Sequence, residues 1–109
     1  MTSQIEKIAR LMGIEYVVSG DRVWLQYDTS KREYNPLTNK ADLIDVECAL
    51  GIDIWWYAED VQAVAPIEPM KLQTSKTVKY ADHPDKFTAR ANAVINVAEQ
   101  IYDKQYINN

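Results

Sequence analysis

The chain has very few of the residues that build catalytic and metal sites. Among its 109 residues there is one cysteine, Cys48, one histidine, His83, and three glycines. A lone cysteine excludes an internal disulfide, and two Cys or His residues are too few for a structural zinc site. Each glycine fits a turn or a helix end, so no phosphate-binding loop is indicated. We therefore expect no catalytic residues, no cofactor and no bound metal.

Basic residues are missing from the middle of the chain. Residues 41–68 contain seven acids and no lysine or arginine, within a chain whose net charge is −4. Phosphate backbones are bound through Lys and Arg, so this composition argues against nucleic acid. Acidic stretches of this kind are commonly a solvated helix face. The alternative is a docking surface for a basic partner.

Long apolar runs are also missing. No stretch is long enough to cross a bilayer, and the N-terminus lacks the apolar core of a signal peptide. Ile5, Ile8 and Met12 instead form a helical stripe. The length fits one domain, residues 1–109, and the composition predicts a cytoplasmic protein without membrane contact.

The clearest helix signals lie in residues 38–51. Thr38 or Asn39 can cap a helix, and Gly51 stands where a left-handed C-terminal cap is needed. We predict a helix over Lys40–Leu50, with Cys48 half-buried. The acids of this helix are expected to face water, and its apolar residues to face the core: Leu43, Val46, Ala49 and Leu50.

The most apolar strand follows at once, over residues 52–57. Ile52, Ile54 and Trp56 alternate with Asp53, Trp55 and Tyr57. A strand that is apolar on both faces usually lies inside a sheet covered on both sides. We therefore expect Trp56 in the core, where truncation to alanine would cost about 3–5 kcal/mol. Trp55 and Tyr57 share a face with an acid and can border solvent.

The first third of the chain predicts a helix and a hairpin. The helix spans residues 2–12, with Thr2 or Ser3 as cap and Gly13 as stop. Strands over 14–19 and 22–27 flank a two-residue turn at Gly20 and Asp21. Residues 28–33 are predicted to be a polar connection.

The last part of the chain predicts two strands and a long helix. Residues 61–65 extend the preceding strand past a bulge or pair with it, and residues 66–69 connect onward. Residues 70–80 alternate as a solvated or edge strand. Asp82 or His83 caps the final helix, with Pro84 in its first turn. The buried stripe of this helix is predicted to include Phe87, Ala91, Val94, Ala98 and Ile101.

The order of elements predicts an α+β fold. Helix, hairpin, helix, two strands and helix give the sequence α-β-β-α-β-β-α. Short connections favour a mainly antiparallel four-stranded sheet. Three amphipathic helices each need an apolar surface, so we expect them to flank both faces of that sheet, as an alpha-beta-alpha sandwich.

Aromatic residues are the one feature above background. Three tryptophans and seven tyrosines are many for this length. An exposed aromatic pair surrounded by acids is typical of a protein-binding anchor, but coverage of the pair by a helix is the more common arrangement and the one that we expect first. The candidate protein-binding surface consists of Asp42, Asp45, Glu47, Asp53, Trp55, Tyr57, Glu59 and Asp60.

Two segments resemble a known family. The stretch YNPLTNKADLIDVECALGI, residues 34–52, is similar to the recurring core of the phage alpha-beta-alpha sandwich domain family, with an aromatic before Asn-Pro and Ala-Asp opening a helix. DHPDKFTARANAVINVAEQIY, residues 82–102, resembles the family's alanine-rich C-terminal helix. The first hairpin is shorter here than the family's. The resemblance implies a sheet between helices and a phage or prophage origin, and it implies no catalytic residues.

Two functions remain open on this evidence. The first is a small phage or prophage accessory protein that binds a host or phage protein through the acidic and aromatic surface, for example to blunt a host defence. The alternative is a homodimeric structural or regulatory module, held together through the same aromatics.

Overall fold

The fold contains three helices and two separate antiparallel sheets. The computed structural model describes residues 3–26, 31–67 and 72–106. The helices are α1 (Gln4–Leu11), α2 (Lys40–Leu50) and α3 (Lys86–Tyr106). The strands are β1 (Tyr16–Ser19), β2 (Arg22–Gln26), β3 (Lys31–Glu33), β4 (Asp53–Trp56), β5 (Asp60–Ile67) and β6 (Leu72–Lys79). The α+β class is confirmed. The predicted four-stranded sheet is wrong, because the strands form two sheets ordered β1-β2-β3 and β4-β5-β6.

The first sheet gains a strand that the sequence does not signal. The β1–β2 hairpin turns at Gly20, whose φ of 65° suits glycine. β3 then pairs antiparallel with β2, although we predicted residues 28–33 to be a connection. Backbone pairing needs no apolar side chain, so the polar segment Lys31–Glu33 carries no period that would reveal it. Residues 27–30 lie outside the described ranges.

The second sheet has β5 at its centre and β4 and β6 at its edges. The segment 61–65 therefore pairs with the preceding strand and does not extend it, and Pro66 belongs to β5, not to a connector. The prediction that residues 70–80 form an edge strand is confirmed for β6. The prediction of a doubly covered β4 is wrong: β4 is an edge strand, and Trp56 is 50% exposed.

α3 is the central element of the core. It contacts β5, β6, α1 and α2, and its buried residues cover more than half of its circumference. Small side chains on this helix allow close approach of the strands. Phe87 is only partly buried, but the other predicted residues of the stripe are buried, together with Ile95 and Tyr102: Ala91, Val94, Ala98 and Ile101.

The helix caps agree with the sequence prediction, except at the start of α3. Ser3 caps α1 and Asn39 caps α2, each accepting a backbone N–H, and Gly51 ends α2 with φ 65°. At α3 the predicted caps Asp82 and His83 are wrong. Asp85 takes this place, since its Oδ1 accepts the Thr88 amide at 2.7 Å and the Thr88 hydroxyl at 2.8 Å. These bonds hold the pKa of Asp85 below its usual value.

Two smaller corrections concern α2. Cys48 and Ala49 are exposed, where we predicted them half-buried and inward. The buried residues of this helix are Asp42, Leu43, Val46 and Glu47, so its buried side is rotated from the predicted stripe toward the two paired acids. None of the helices in the described ranges is both long enough and apolar enough to cross a membrane.

Candidate protein-binding surface

The predicted acidic surface divides into two parts, and two of its acids are buried. Asp42 is 2% exposed. Its carboxylate accepts from Arg32 Nη2 at 2.9 Å and Nη1 at 3.1 Å, and from the Asn35 amide at 3.1 Å. The prediction that Asp42 faces water is therefore wrong, because it links β3 to the start of α2.

Glu47 is the second buried acid, at 8% exposure. Its oxygens accept from Arg90 Nε at 2.7 Å and Nη2 at 2.5 Å. This two-pronged geometry is the strong form of an Arg–carboxylate pair, and it raises the pKa of Arg90. Glu47 thus fastens α2 to α3 and is removed from the candidate surface. Asp45 stays exposed on α2, where it lines a cavity together with Arg32 of β3.

The remaining candidate residues lie together on the β4–β5 hairpin. Three consecutive large side chains are half-exposed there: Trp55 by 55%, Trp56 by 50% and Tyr57 by 50%. We call them the aromatic ridge. β4 contributes Trp55 and Trp56, whose side chains lie on opposite faces of the sheet, and Tyr57 follows directly after the strand. Most exposed apolar residues stand singly, so this concentration of exposed rings at one sheet edge is unusual. Of the two alternatives that the sequence leaves open for Trp55 and Tyr57, coverage by a helix is wrong, because both side chains are about half-exposed.

Tyr80 supports the hairpin that carries the ridge through hydrogen bonds and ring stacking. Its hydroxyl donates to the Tyr57 carbonyl at 2.9 Å, and its amide donates to the Glu59 carbonyl at 3.1 Å. The ring of Trp56 stacks on that of Tyr80 with centroids 6.3 Å apart. Lys86 Nζ lies 5.1 Å from the centroid of the Tyr80 ring. The hairpin is thus fixed to the start of α3, which lowers the entropy lost when the ridge is covered.

Acids border the ridge on the β4 side. Asp53 and Glu59 are exposed, and Asp60 is partly buried. Lys79 lies opposite Asp60 in the β5–β6 pairing. The basic side chain near the ridge is therefore contributed by β6, whereas the charged residue of the edge strand β4 is the acid Asp53. An open groove of about 500 Å³ lies next to the ridge, lined by Ala58, Glu59, Lys79, Tyr80 and Ala81.

The face of the second sheet that points away from α3 is open. Trp55, Gln62 and Thr77 are aligned across β4, β5 and β6 on this face. Tyr57 donates its hydroxyl to Gln62 Oε1 at 3.3 Å, so the ridge continues onto the sheet. Thr77 is exposed, and so are its neighbours on β6 that share the face, Ser75 and Gln73. The patch therefore has a flat polar border.

The surface offers little for catalysis. Among the described residues no group of three or more His, Cys, Asp or Glu is placed to hold a metal ion. His83 is partly buried beside the 3-10 turn Tyr80–Asp82, and it forms no ion pair with a carboxylate of the residues that the structure describes. The chemistry on display is apolar contact combined with negative charge.

Comparison with known proteins gives no relative. No protein-family model matches the chain, and no curated protein or solved structure is significantly similar to it. The resemblance to the phage sandwich domains stays a prediction.

Sequence reasoning missed two members of this site. We predicted Trp56 in the core, and the predicted surface does not include Tyr80. A half-exposed Trp on an edge strand has the same sequence pattern as a buried one, so no signal distinguished them. Tyr80 follows directly on the end of β6 and precedes the α3 cap, and that position between two elements is the only local hint of its anchoring role.

Proposed function

We propose that this protein is a binding module without catalytic activity, which docks another protein on the aromatic ridge. One observation carries the proposal: Trp55, Trp56 and Tyr57 are consecutive and half-exposed, and Tyr80 holds this hairpin by stacking on Trp56 and by a hydrogen bond to the Tyr57 carbonyl. Trp and Tyr in pre-ordered positions are the usual energetic anchors of protein interfaces.

The charge on the β4 side of the ridge favours a basic partner. Asp53 and Glu59 flank the aromatics, and residues 41–67 contain no lysine or arginine. Complementary charge at the rim speeds association and excludes acidic competitors. We therefore expect a partner with an apolar contact surrounded by Lys and Arg. The family resemblance suggests a host or phage protein as its source.

The test measures the affinity for a defined partner. Partners captured from a bacterial lysate are identified, purified and titrated against the wild type and two variants. We expect Trp55→Ala to weaken binding at least about tenfold and Tyr106→Ala to leave it unchanged. Tyr106 is 54% exposed but lies at the end of α3, so it controls for loss of any exposed ring. Equal affinity of Trp55→Ala and wild type would contradict the proposal.

Salt gives an independent check on the charge part of the proposal. Interactions between exposed charges are largely screened beyond about 8 Å at physiological ionic strength, and this distance shortens as salt is added. The dissociation constant of the true partner should therefore rise with salt in the wild type, and rise less in a variant with Asp53→Asn and Glu59→Gln. A dissociation constant that does not change with salt would contradict a basic partner, but it would not contradict binding through the aromatic ridge.

A homodimer is the second candidate, and the free edge of β4 favours it. An edge strand presents unpaired N–H and C=O groups that a second copy can extend. On this reading, light scattering gives twice the 12.5 kDa chain mass at every salt concentration. Trp55→Ala would then restore the monomer mass. A monomer at all concentrations used for partner binding excludes the homodimer.

A further inference from the structure

The outer edge of β4 carries backbone groups that no strand of the second sheet uses. The Tyr57 amide donates to the Asp60 carbonyl at 2.9 Å, and the pairing with β5 is unbroken from there to Asp53. Residues of an antiparallel strand point their N–H and C=O groups alternately toward the partner strand and away from it. The groups of Ile54 and Trp56 therefore point outward. No other described strand pairs with this edge, and no described turn or loop bonds to these groups through its backbone.

Apart from its short length, β4 lacks the devices that keep natural edge strands from pairing. Those devices include lysines, prolines and bulges on the edge. β4 contains no lysine or proline, and its register with β5 has no bulge. The opposite edge of the same sheet, β6, carries Lys76 and Lys79. The charged residue of β4 is Asp53, which repels an acidic strand and attracts a basic one.

The two faces of this edge require different side chains on an added strand. Asp53 and Trp55 lie on the face that points away from α3. There Asp53 attracts a lysine or arginine, and the ring of Trp55 favours a cation above it. Ile54 and Trp56 lie on the other face, next to buried side chains of β5, and apolar residues would cover them. Side chains of a strand alternate between faces, so the matching strand alternates basic and apolar residues.

We propose that the partner is bound by strand addition: an extended segment of another protein, with basic and apolar residues in alternation, pairs with the outer edge of β4. Main-chain hydrogen bonds to Ile54 and Trp56 supply affinity, and the alternating side chains supply specificity. The proposal rests on the function proposed above, because it gives the partner of the aromatic ridge a backbone conformation and a side-chain pattern.

A second copy of this chain is the competing occupant of the edge. It fits less well, because its own β4–β5 hairpin brings Asp53 and Glu59, and its residues 41–67 contain no lysine or arginine. Two β4 edges would therefore gather negative charge without a base to offset it.

Three capped hexapeptides test the side-chain pattern, each titrated against the full chain by NMR. The first alternates lysine and valine, the second has three lysines followed by three valines, and the third alternates glutamate and valine. We expect the alternating basic peptide to bind at least about tenfold more tightly than either of the others, and to slow hydrogen exchange of the Ile54 and Trp56 amides. Equal binding of the first two peptides, no binding of the first, or unchanged exchange at these amides would overturn the proposal.

A backbone substitution tests the hydrogen bonds and leaves the ridge intact. Replacing Ile54 by its α-hydroxy acid turns an outward amide into an ester and keeps every side chain. The same change at Val18 is the matched control: β1 is an edge strand of the first sheet, and the Val18 amide points outward because the Glu15 carbonyl accepts from the Gln26 amide. The Ile54 ester should bind the alternating basic peptide about fivefold more weakly, the equivalent of one ordinary hydrogen bond. The Val18 ester should bind it as the wild type does.

The amide spectrum confirms that each ester variant is folded. Equal affinity of the Ile54 ester and the wild type would overturn strand addition. So would an equal loss of affinity in both esters, because the effect would then not belong to the β4 edge.

Titration of the purified partner separates this proposal from the function on which it rests. Weaker binding by both Trp55→Ala and the Ile54 ester supports strand addition beside the ridge. Weaker binding by Trp55→Ala alone overturns strand addition and keeps the ridge as the docking surface. Weaker binding by the ester alone keeps strand addition and contradicts the aromatic anchor. A dimer that the Ile54 ester dissociates assigns the edge to a second copy and overturns the proposed occupant.

Discussion

At the scale of single residues, two arginines decide which acids reach solvent. Arg32 is ten residues from Asp42 in the chain, and Arg90 is 43 residues from Glu47. Nothing local in α2 marks these two acids as different from Asp45, because their partners come from other elements. The sequence correctly predicts that α2 is acidic. The prediction that its acids face water is right only for Asp45.

Loss of the Arg90 side chain should leave Glu47 buried without its partner. We expect Arg90→Met to lower the free energy of unfolding by about 2 kcal/mol, the range for hydrogen bonds to charged groups. Urea denaturation measures it. Adding Glu47→Gln should recover part of the loss, since the uncompensated charge is then gone. A single variant as stable as the wild type would show that the pair contributes nothing.

For Tyr34 we expect a substitution to increase stability, because its buried hydroxyl has no hydrogen-bond partner among the described residues. Tyr34→Phe should raise the free energy of unfolding by about 1 kcal/mol at neutral pH, because an unsatisfied buried group is removed. The advantage should grow above pH 10. There the unfolded Tyr34, with its ordinary pKa of 10.0, loses its proton, while the folded residue, with its raised pKa, keeps it.

The sign follows from proton binding. Above pH 10 the folded state holds more protons than the unfolded state, so stability falls as pH rises. The wild type should fall by up to about 1.4 kcal/mol per pH unit relative to Tyr34→Phe. Denaturation curves at pH 7 and about pH 11 test it, with all other tyrosines common to both proteins. A constant difference between the two proteins would mean that the phenol is solvated.

At the scale of elements, the helices are read well from sequence and the strands are not. Asn39 and Gly51 give both ends of α2 as observed, because caps are local chemistry. The strand β3 is not predicted from the sequence, because it contains no apolar residue. β4 is found but placed wrongly: Trp55 and Trp56 give it two apolar faces, and the sequence does not say whether an apolar face is covered.

The C-terminal cap of α2 is a point where only backbone geometry matters. Gly51 has φ 65° and ψ 40°, and a Cβ there would approach nothing closer than 3.9 Å. Gly51→Ala should therefore cost about 1 kcal/mol through conformation alone. Gly51→Asn should cost less, since Asn tolerates this region. Thermal unfolding of both variants checks the order, and a harmless alanine would contradict the left-handed cap.

The position of Trp56 at the sheet edge changes its expected energetic role. A core tryptophan would cost about 3–5 kcal/mol on truncation. Half-exposed and stacked on Tyr80, Trp56 should cost about 1 kcal/mol when changed to Ala, close to the value of an aromatic pair. Chemical denaturation distinguishes the two values. A loss above about 3 kcal/mol would return Trp56 to the core.

At the scale of the whole molecule, α3 packs on the second sheet and contacts α1 and α2, and the two sheets do not join. A single sheet was expected because short antiparallel connections were the simplest arrangement of the predicted strands. The extra strand β3 completes one sheet, and α2 separates it in the chain from the other. Long-range pairing of this kind is decided by tertiary contacts that a local reading does not contain. One consequence is functional, because the second sheet keeps an open face and a free β4 edge.

The central claim is that the β4–β5 hairpin is where a partner binds, and hydrogen–deuterium exchange of the complex tests it most directly. Amide exchange is compared for the free chain and for the chain saturated with its purified partner. We expect new protection in residues 53–60 and little change in β1 and β2 of the first sheet. Protection confined to the first sheet or to α2, with residues 53–60 exchanging as in the free chain, would contradict it.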